Sequence, residues 1–180
     1  MDEDDAWRRL ARQEAYSNDW IDVYHDVVLR PDGKRGIYGV VHARFEAVSV
    51  LPFRADEVLL VGQQRYPLAA YSWEIPGGGA APGEDLAAAA HRELAEETGY
   101  RAETLQPIAN FSIWNAVSDA YCRVYLARDL TAGPAAPEGS EQLVLRWLQL
   151  GRCLDMVRSG EIHDAITQIA LLRLAQETQC

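Results

Sequence analysis

The chain alternates apolar and polar residues in short runs before a longer period takes over. "WIDVYHDVVLR" and "IYGVVHARFEAVSVLPF", rich in Val, Ile and Tyr, read as strands, and Pro31, Asp32 and Gly33 supply turn chemistry between them. "EVLLVGQQRY" reads as a further strand with its apolar residues bunched at the centre. "PLAAYSW" reads as a connector, and "EIPGGG" as a short extended piece that stops at glycines. The period then changes. "GEDLAAAAHRELAEETG" is the strongest helix in the chain: Pro82 and Gly83 precede it, Ala and Leu fill it, and Gly99 suits the left-handed position just past its end. Strands are expected near 105–113 and 121–127, "TAGPAAPEGSE" is a Pro/Gly/Ala loop, and "QLVLRWLQL" alternates as a strand does. From about 152 to 177 the pattern predicts two helices broken near Ser159 and Gly160, and residues 1–18 read as a short polar helix or an arm. No internal repeat or linker interrupts the order. The expectation is therefore one domain over 1–180, of α+β or α/β/α type, with antiparallel strands at its N-terminus.

Composition narrows the function classes. The 180 residues are enough for a proper core, and 48% hydrophobic with 24% charged residues is ordinary for a soluble protein. A formal net charge of -10 disfavours a nucleic-acid binder, which would present a basic face. It suits an enzyme that collects cations, and solubility explains it equally well. Cys122, Cys153 and Cys180 are odd in number and form no CxxC pair, so they read as reduced thiols in a cytoplasmic protein. "MDEDDAWRRL" is acidic where a signal peptide is basic, and no run reaches the roughly 18 apolar residues a membrane span needs. His25, His42, His91 and His163 form no ligand pattern.

The chemistry concentrates at the end of the predicted helix. Glu93 lies three residues before Glu96 and four before Glu97, so the three carboxylates share one face. Like charges at that spacing repel unless something positive sits among them. Carboxylate oxygens are hard ligands that suit Mg²⁺ or Mn²⁺, and Mg²⁺ is commonly completed by waters and substrate phosphates. Arg92 and Glu84, about two turns apart, are placed to support each other and steer the ligands. Ala87 to Ala90 allow close packing on a sheet, and the glycines ahead of the helix let backbone approach a cation or phosphate. The plain alternative is a solvated acidic face.

The complete spacing decides between them. Gly78, five residues, Glu84, seven residues, Arg92-Glu93-Leu94, one residue, Glu96-Glu97, one residue and Gly99 together resemble the Nudix box; only Tyr100 departs, in a slot that is usually aliphatic. Seven fixed positions at about one in fifteen each arise by chance roughly once in 10⁸ start sites. The resemblance extends over about residues 20–175, where "RPDGKRGIYGVV", "QQRYPLAAYSWEIPGGG", "YLARDL" and "GEIHDAITQIALLRL" look like the ADP-ribose and nucleotide-sugar pyrophosphatase branch.

That resemblance implies an α/β/α sandwich around a mixed sheet and Mg²⁺-dependent hydrolysis of a nucleoside diphosphate linked to another group, with Mn²⁺ able to substitute. It implies Glu93, Glu97 and Glu96 as metal ligands together with the backbone carbonyl of Gly77, and a catalytic role for Glu96 and Arg92. It implies a loop glutamate as base, Glu141 ahead of Glu138. It places Arg65 and Glu74 on the substrate side, Trp73 either stacked on a base or in the core, and Asn115 either on a base or sugar or shaping a turn. The branch is typically a homodimer, which assigns the strands of 19–45 to dimerisation and 46–180 to the core. The run "SIWNAVSDAY" departs from the ADP-ribose pattern: Asn115 stands where a proline is common, and Ala120 where an acid is. GDP-mannose and diadenosine polyphosphates therefore stay open as substrates, as does a non-catalytic nucleotide sensor. The acidic charge disfavours RNA decapping.

Overall fold

A computed structural model describes residues 7–135 and 143–178. Glu138 and Glu141 lie outside the described residues. The chain groups into two compact units: residues 1–45 with 112–121, and residues 46–111 with 122–180.

The first unit is a three-stranded antiparallel sheet in the order β1 (Arg8–Ser17), β2 (Ile21–Leu29), β3 (Arg35–Ala43). The polar helix or arm expected over 1–18 is corrected here: Arg8–Ser17 is a strand. "RRLARQEAYS" has no apolar stripe of helical period, so a helix would bury nothing, whereas pairing with β2 satisfies its backbone. Side chains reinforce the ladder. Arg12 donates through Nε and Nη2 to the two oxygens of buried Asp26 at 2.8 and 2.7 Å. Arg44 and Ser17 converge on Asp22, and their hydrogen bonds hold that carboxyl at about 2. Residues 112–121 join this sheet: Val41 N–H donates to the Val117 carbonyl at 2.7 Å, and Tyr38 Oη to the Ala116 carbonyl at 2.6 Å.

The second unit carries the mixed sheet. Its order is β10 (Val144–Gln149), β5 (Glu57–Arg65), β4 (Glu46–Arg54), β9 (Tyr121–Ala132), β8 (Tyr100–Ser112), with β6 (Ala70–Glu74) paired to β5 and β7 (Gly77–Ala80) to β4. The β4–β9 pair is parallel; β4 pairs antiparallel with β5 and with β7. The long run expected as one strand from Ile37 to Phe53 is broken at Arg44 and Phe45 into β3 and β4. The connector of "PLAAYSW" resolves into a 3-10 turn at Tyr66–Leu68 and then β6.

Alternation along β4 and β9 builds two cores, one on each face. Leu51, Phe53, Cys122, Val124 and Leu126 pack with residues of α2 (Leu150–Ser159) and α3 (Ala165–Thr178). Val48, Val50, Tyr125 and Ala127 pack with Ala89, Ala90 and Leu94 of α1 (Leu86–Thr98). Helices therefore cover both faces, the α/β/α sandwich expected from sequence. Ala89 and Ala90 of α1 are fully buried, which brings its backbone close to β4 and β7.

Candidate active site

The site grows from one loop and one helix. Strand β7 is nearly all glycine because two of its residues have no room for a side chain. A Cβ on Gly77 would collide with the Val48 carbonyl oxygen and lie 2.6 Å from Ser49 Oγ; one on Gly78 would lie 2.5 Å from the Glu93 carboxyl carbon. Helix α1 then starts where Asp85 accepts from Ala88 N–H at 2.9 Å, a cap worth about 1 kcal/mol. It ends at Gly99, whose φ of 74° is the left-handed geometry expected there.

Along α1, Arg92 is the hub. Its Nε and Nη2 donate to the two oxygens of Glu84, each at 3.1 Å, and Nη2 also donates to the Gly79 carbonyl at 3.0 Å. Its Nη1 donates to Glu93 Oε1 at 2.8 Å and to Glu96 Oε2 at 3.1 Å. One guanidinium thus holds three carboxylates and the glycine strand together. The exchange is visible in both partners: the hydrogen bonds of Glu84 push the Arg92 pKa up, and those of Arg92, followed by the Ala81 N–H, pull the Glu84 carboxyl down. Glu84 accepts from that Ala81 N–H at 2.8 Å, so it anchors the loop as well as the arginine. Glu97 is buried, and its Oε2 accepts the Gly77 N–H at 3.0 Å, which binds the end of α1 to the start of the glycine strand.

The donor set fits a hard divalent cation in its chemistry. Glu93, Glu96 and Glu97 are carboxylates on one helical face, Glu93 and Glu96 reach the same nitrogen of Arg92, and the missing Cβ at Gly78 leaves space against Glu93. Among the described residues no group of three or more His, Cys, Asp or Glu side chains is arranged to hold a metal ion by itself.

The remaining candidates divide. Arg65, at the end of β5, donates through Nε to Glu74 at 3.0 and 3.2 Å and through Nη2 to the same carboxylate. Burial is the largest influence on the Glu74 carboxyl and acts to raise it, but the hydrogen bonds from Arg65 and Ser72 and the charges of Arg65 and His163 together outweigh it, and the net direction is down. Trp73 points to the opposite face from Glu74: it packs with the core under α2 and α3, Tyr71 meets it edge-on at 5.5 Å between centroids, and the Arg146 guanidinium lies 4.6 Å over its ring. Asn115 is exposed in a turn of the first unit, where Val117 and Ser118 N–H both donate to the Trp114 carbonyl. Sequence reading missed the tie at α3. Ile75 N–H donates to Thr167 Oγ1 at 2.9 Å, and Thr167 Oγ1 donates to Asp164 Oδ2 at 2.7 Å. The signal was present as Asp164 three residues ahead of Thr167, a helix-start pattern.

Comparison with known proteins agrees with this geometry. Residues 43–164 match the NUDIX domain, and residues 7–41 match the nucleoside diphosphate sugar hydrolase N-terminal domain. The chain belongs to the Nudix family and is a Nudix hydrolase. It is 32% identical over 167 residues to the ADP-ribose pyrophosphatase of Bacillus subtilis (strain 168), covering 91% of this chain and 90% of the relative. It is also 32% identical over 149 residues to the CMP-5'-(N-acetyl-N-hydroxy-3-aminopropyl)phosphonate hydrolase of Streptomyces rubellomurinus, covering 82% of this chain and 71% of that protein. The crystal structure of an ADP compounds hydrolase superposes with a TM-score of 0.87 over 96% of this chain and 94% of the other, at 21% identity, a likeness of fold. No helix among the described residues is long and apolar enough to cross a membrane.

Proposed function

We propose that this Nudix hydrolase cleaves the diphosphate of ADP-ribose or a similar nucleotide sugar, giving a nucleoside monophosphate and a sugar phosphate. The observation that carries the reading is the cluster of Glu84, Glu93, Glu96 and Arg92 with Glu97 bonded to Gly77, in a chain that matches an ADP-ribose pyrophosphatase over nearly its whole length. The N-terminal match to a nucleoside diphosphate sugar hydrolase domain supports the same branch.

The proposed cation is Mg²⁺, with Mn²⁺ able to replace it, held by Glu93, Glu97 and Glu96 and by the Gly77 carbonyl. When bound, it neutralises phosphate charge and lowers the pKa of a water. The protein's own share is positioning. Arg92 holds Glu93 and Glu96 in place, Glu84 holds Arg92, and Arg65 presents a cation to the diphosphate. The preorganised carboxylates and Arg92 around the cation serve the rate of phosphoryl transfer, and Arg65 contributes binding of the diphosphate. Glu141, with Glu138 second, is proposed as the base that takes the proton of the attacking water. Asn115 is proposed as a base- or sugar-contacting residue, and Trp73 as the support beneath strand β6.

The proposed assembly is a homodimer. The first unit exposes Trp7, Tyr16, Trp20 and Ile37, each more than half accessible, which supports an interface there. The proposed location is the cytoplasm, supported by buried Cys122 and Cys153 in the free thiol form. The test incubates the protein and Mg²⁺ with ADP-ribose, GDP-mannose, UDP-glucose, NADH and diadenosine polyphosphates, then adds phosphatase and measures phosphate. ADP-ribose or a nucleotide sugar is expected to lead; turnover confined to the diadenosine compounds would overturn the substrate reading. Light scattering should give twice the 20.1 kDa chain mass.

A further inference from the structure

We infer that Glu74 is a positioning residue for Arg65: it fixes the guanidinium that faces the diphosphate and does not itself touch substrate or metal. This rests on the reading that Arg65 acts on the diphosphate.

The geometry separates the two ends of the pair. The Glu74 side chain is 10% exposed, while 44% of the Arg65 side chain is accessible. The carboxylate spends both of its oxygens on Arg65, which approaches side-on through Nε and Nη2. That approach leaves Nη1 and the outer N–H of Nη2 to point away from Glu74. A guanidinium gripped on one edge keeps its other edge in a defined plane, which a lone flexible arginine cannot do without losing rotamer freedom.

Glu74 is held in turn. It lies opposite Val61 in the β5–β6 ladder, and Arg65 lies opposite Ala70 in the same ladder, so one hairpin carries both partners. The next residue, Ile75, is bonded through its N–H to Thr167 Oγ1, itself bonded to Asp164 at the start of α3. The buried Ser72 hydroxyl, two residues back on the same side of β6, has no hydrogen bond of ordinary geometry, yet its field also favours the Glu74 anion. The charge of Glu97, bonded to Gly77, also acts on Arg65, which puts the arginine within electrostatic reach of the carboxylates of α1.

The test combines kinetics with a signal that does not depend on turnover. With ADP-ribose, Glu74→Gln should raise KM about tenfold and change kcat by less than about threefold, the signature of lost uniform binding. Arg65→Ala should do the same or more, and the double variant should be no worse than Arg65→Ala alone. Multiplying effects, or a kcat loss at constant KM, would overturn the inference. In parallel, the Nε–Hε NMR signal of Arg65, assigned by its absence from Arg65→Lys, should be shifted and slow to exchange in the wild type and collapse in Glu74→Gln. An unchanged signal would overturn the inference whatever the substrate. Loss of the signal without any ADP-ribose turnover would instead remove the substrate reading and leave the grip of Glu74 on Arg65 standing.

Discussion

Arg92 reaches back from α1 to Glu84 in the loop before it and meets both carboxylate oxygens at 3.1 Å. With its other nitrogen it holds Glu93 and Glu96, so a single residue converts a repelling acidic face into an ordered one. Arg92→Ala should release those carboxylates. The Mg²⁺ concentration for half-maximal rate is expected to rise about 10–100-fold, as for other residues that orient metal ligands. Arg92→Lys should not restore it, because a point charge cannot span Glu84, Gly79, Glu93 and Glu96 at once. Titrating the rate with Mg²⁺ in the three proteins checks this; equal half-saturation values would refute the hub role.

Two glycines ahead of α1 should fail in opposite ways. At Gly78 the atoms nearest an added Cβ are the far end of the Glu93 side chain, 2.5 Å away, which can swing aside. Gly78→Ala should therefore melt near the wild-type temperature but lose most of its activity, because Glu93 is displaced. At Gly83 nothing lies within 4 Å, but φ is +82°, a conformation that costs a non-glycine residue about 1–2 kcal/mol. Gly83→Ala should lower Tm by several degrees with kcat little changed. Calorimetry beside the standard assay separates the two.

The box was legible because its chemistry demands fixed residue types at fixed spacing: Gly78, Glu84, Arg92 and the three glutamates each do something no neighbour can do. The sandwich was legible from the switch between strand-like alternation and the Ala-rich helix. Less visible was anything settled by partners far along the chain. Arg8–Ser17 looks polar and unstructured alone, and only β2 makes it a strand. The hairpin between β4 and β5 turns through Ala55 and Asp56 at φ of 46° and 66°, without a glycine to announce it. Trp73 and Glu74, adjacent on β6, face opposite sides of the sheet by the pleat alone, but which of them meets the core under α2 and α3 is fixed by register with the partner strand.

The cysteines offer a test of burial. Cys122 and Cys153 are fully buried, and desolvation raises each thiol to about 11. At pH 8 about one molecule in a thousand then carries the thiolate that attacks an alkylating reagent. Iodoacetamide should leave both residues unmodified in the native protein over an hour and modify both in urea, as read by peptide mass spectrometry. Native labelling at either would contradict the packing of the core under α2 and α3.

Acid should loosen the first unit through Asp22. Its folded carboxyl sits at about 2 against an ordinary 3.8, held down by hydrogen bonds from Arg44 and then Ser17. A depressed carboxylate contributes stability that is fully present above its unfolded value and is lost as pH falls through its folded one. The loss attached to Asp22 should therefore run from just below pH 4 down to about 2. Arg44→Ala removes the largest cause of the depression and should move acid unfolding to higher pH. The tryptophans report it, since Trp7 and Trp20 both belong to this unit. An acid titration followed by fluorescence should show the variant's midpoint shifted upward while its behaviour at pH 8 changes far less. Coincident acid curves would mean that the Arg44–Asp22 pair contributes nothing to holding the sheet.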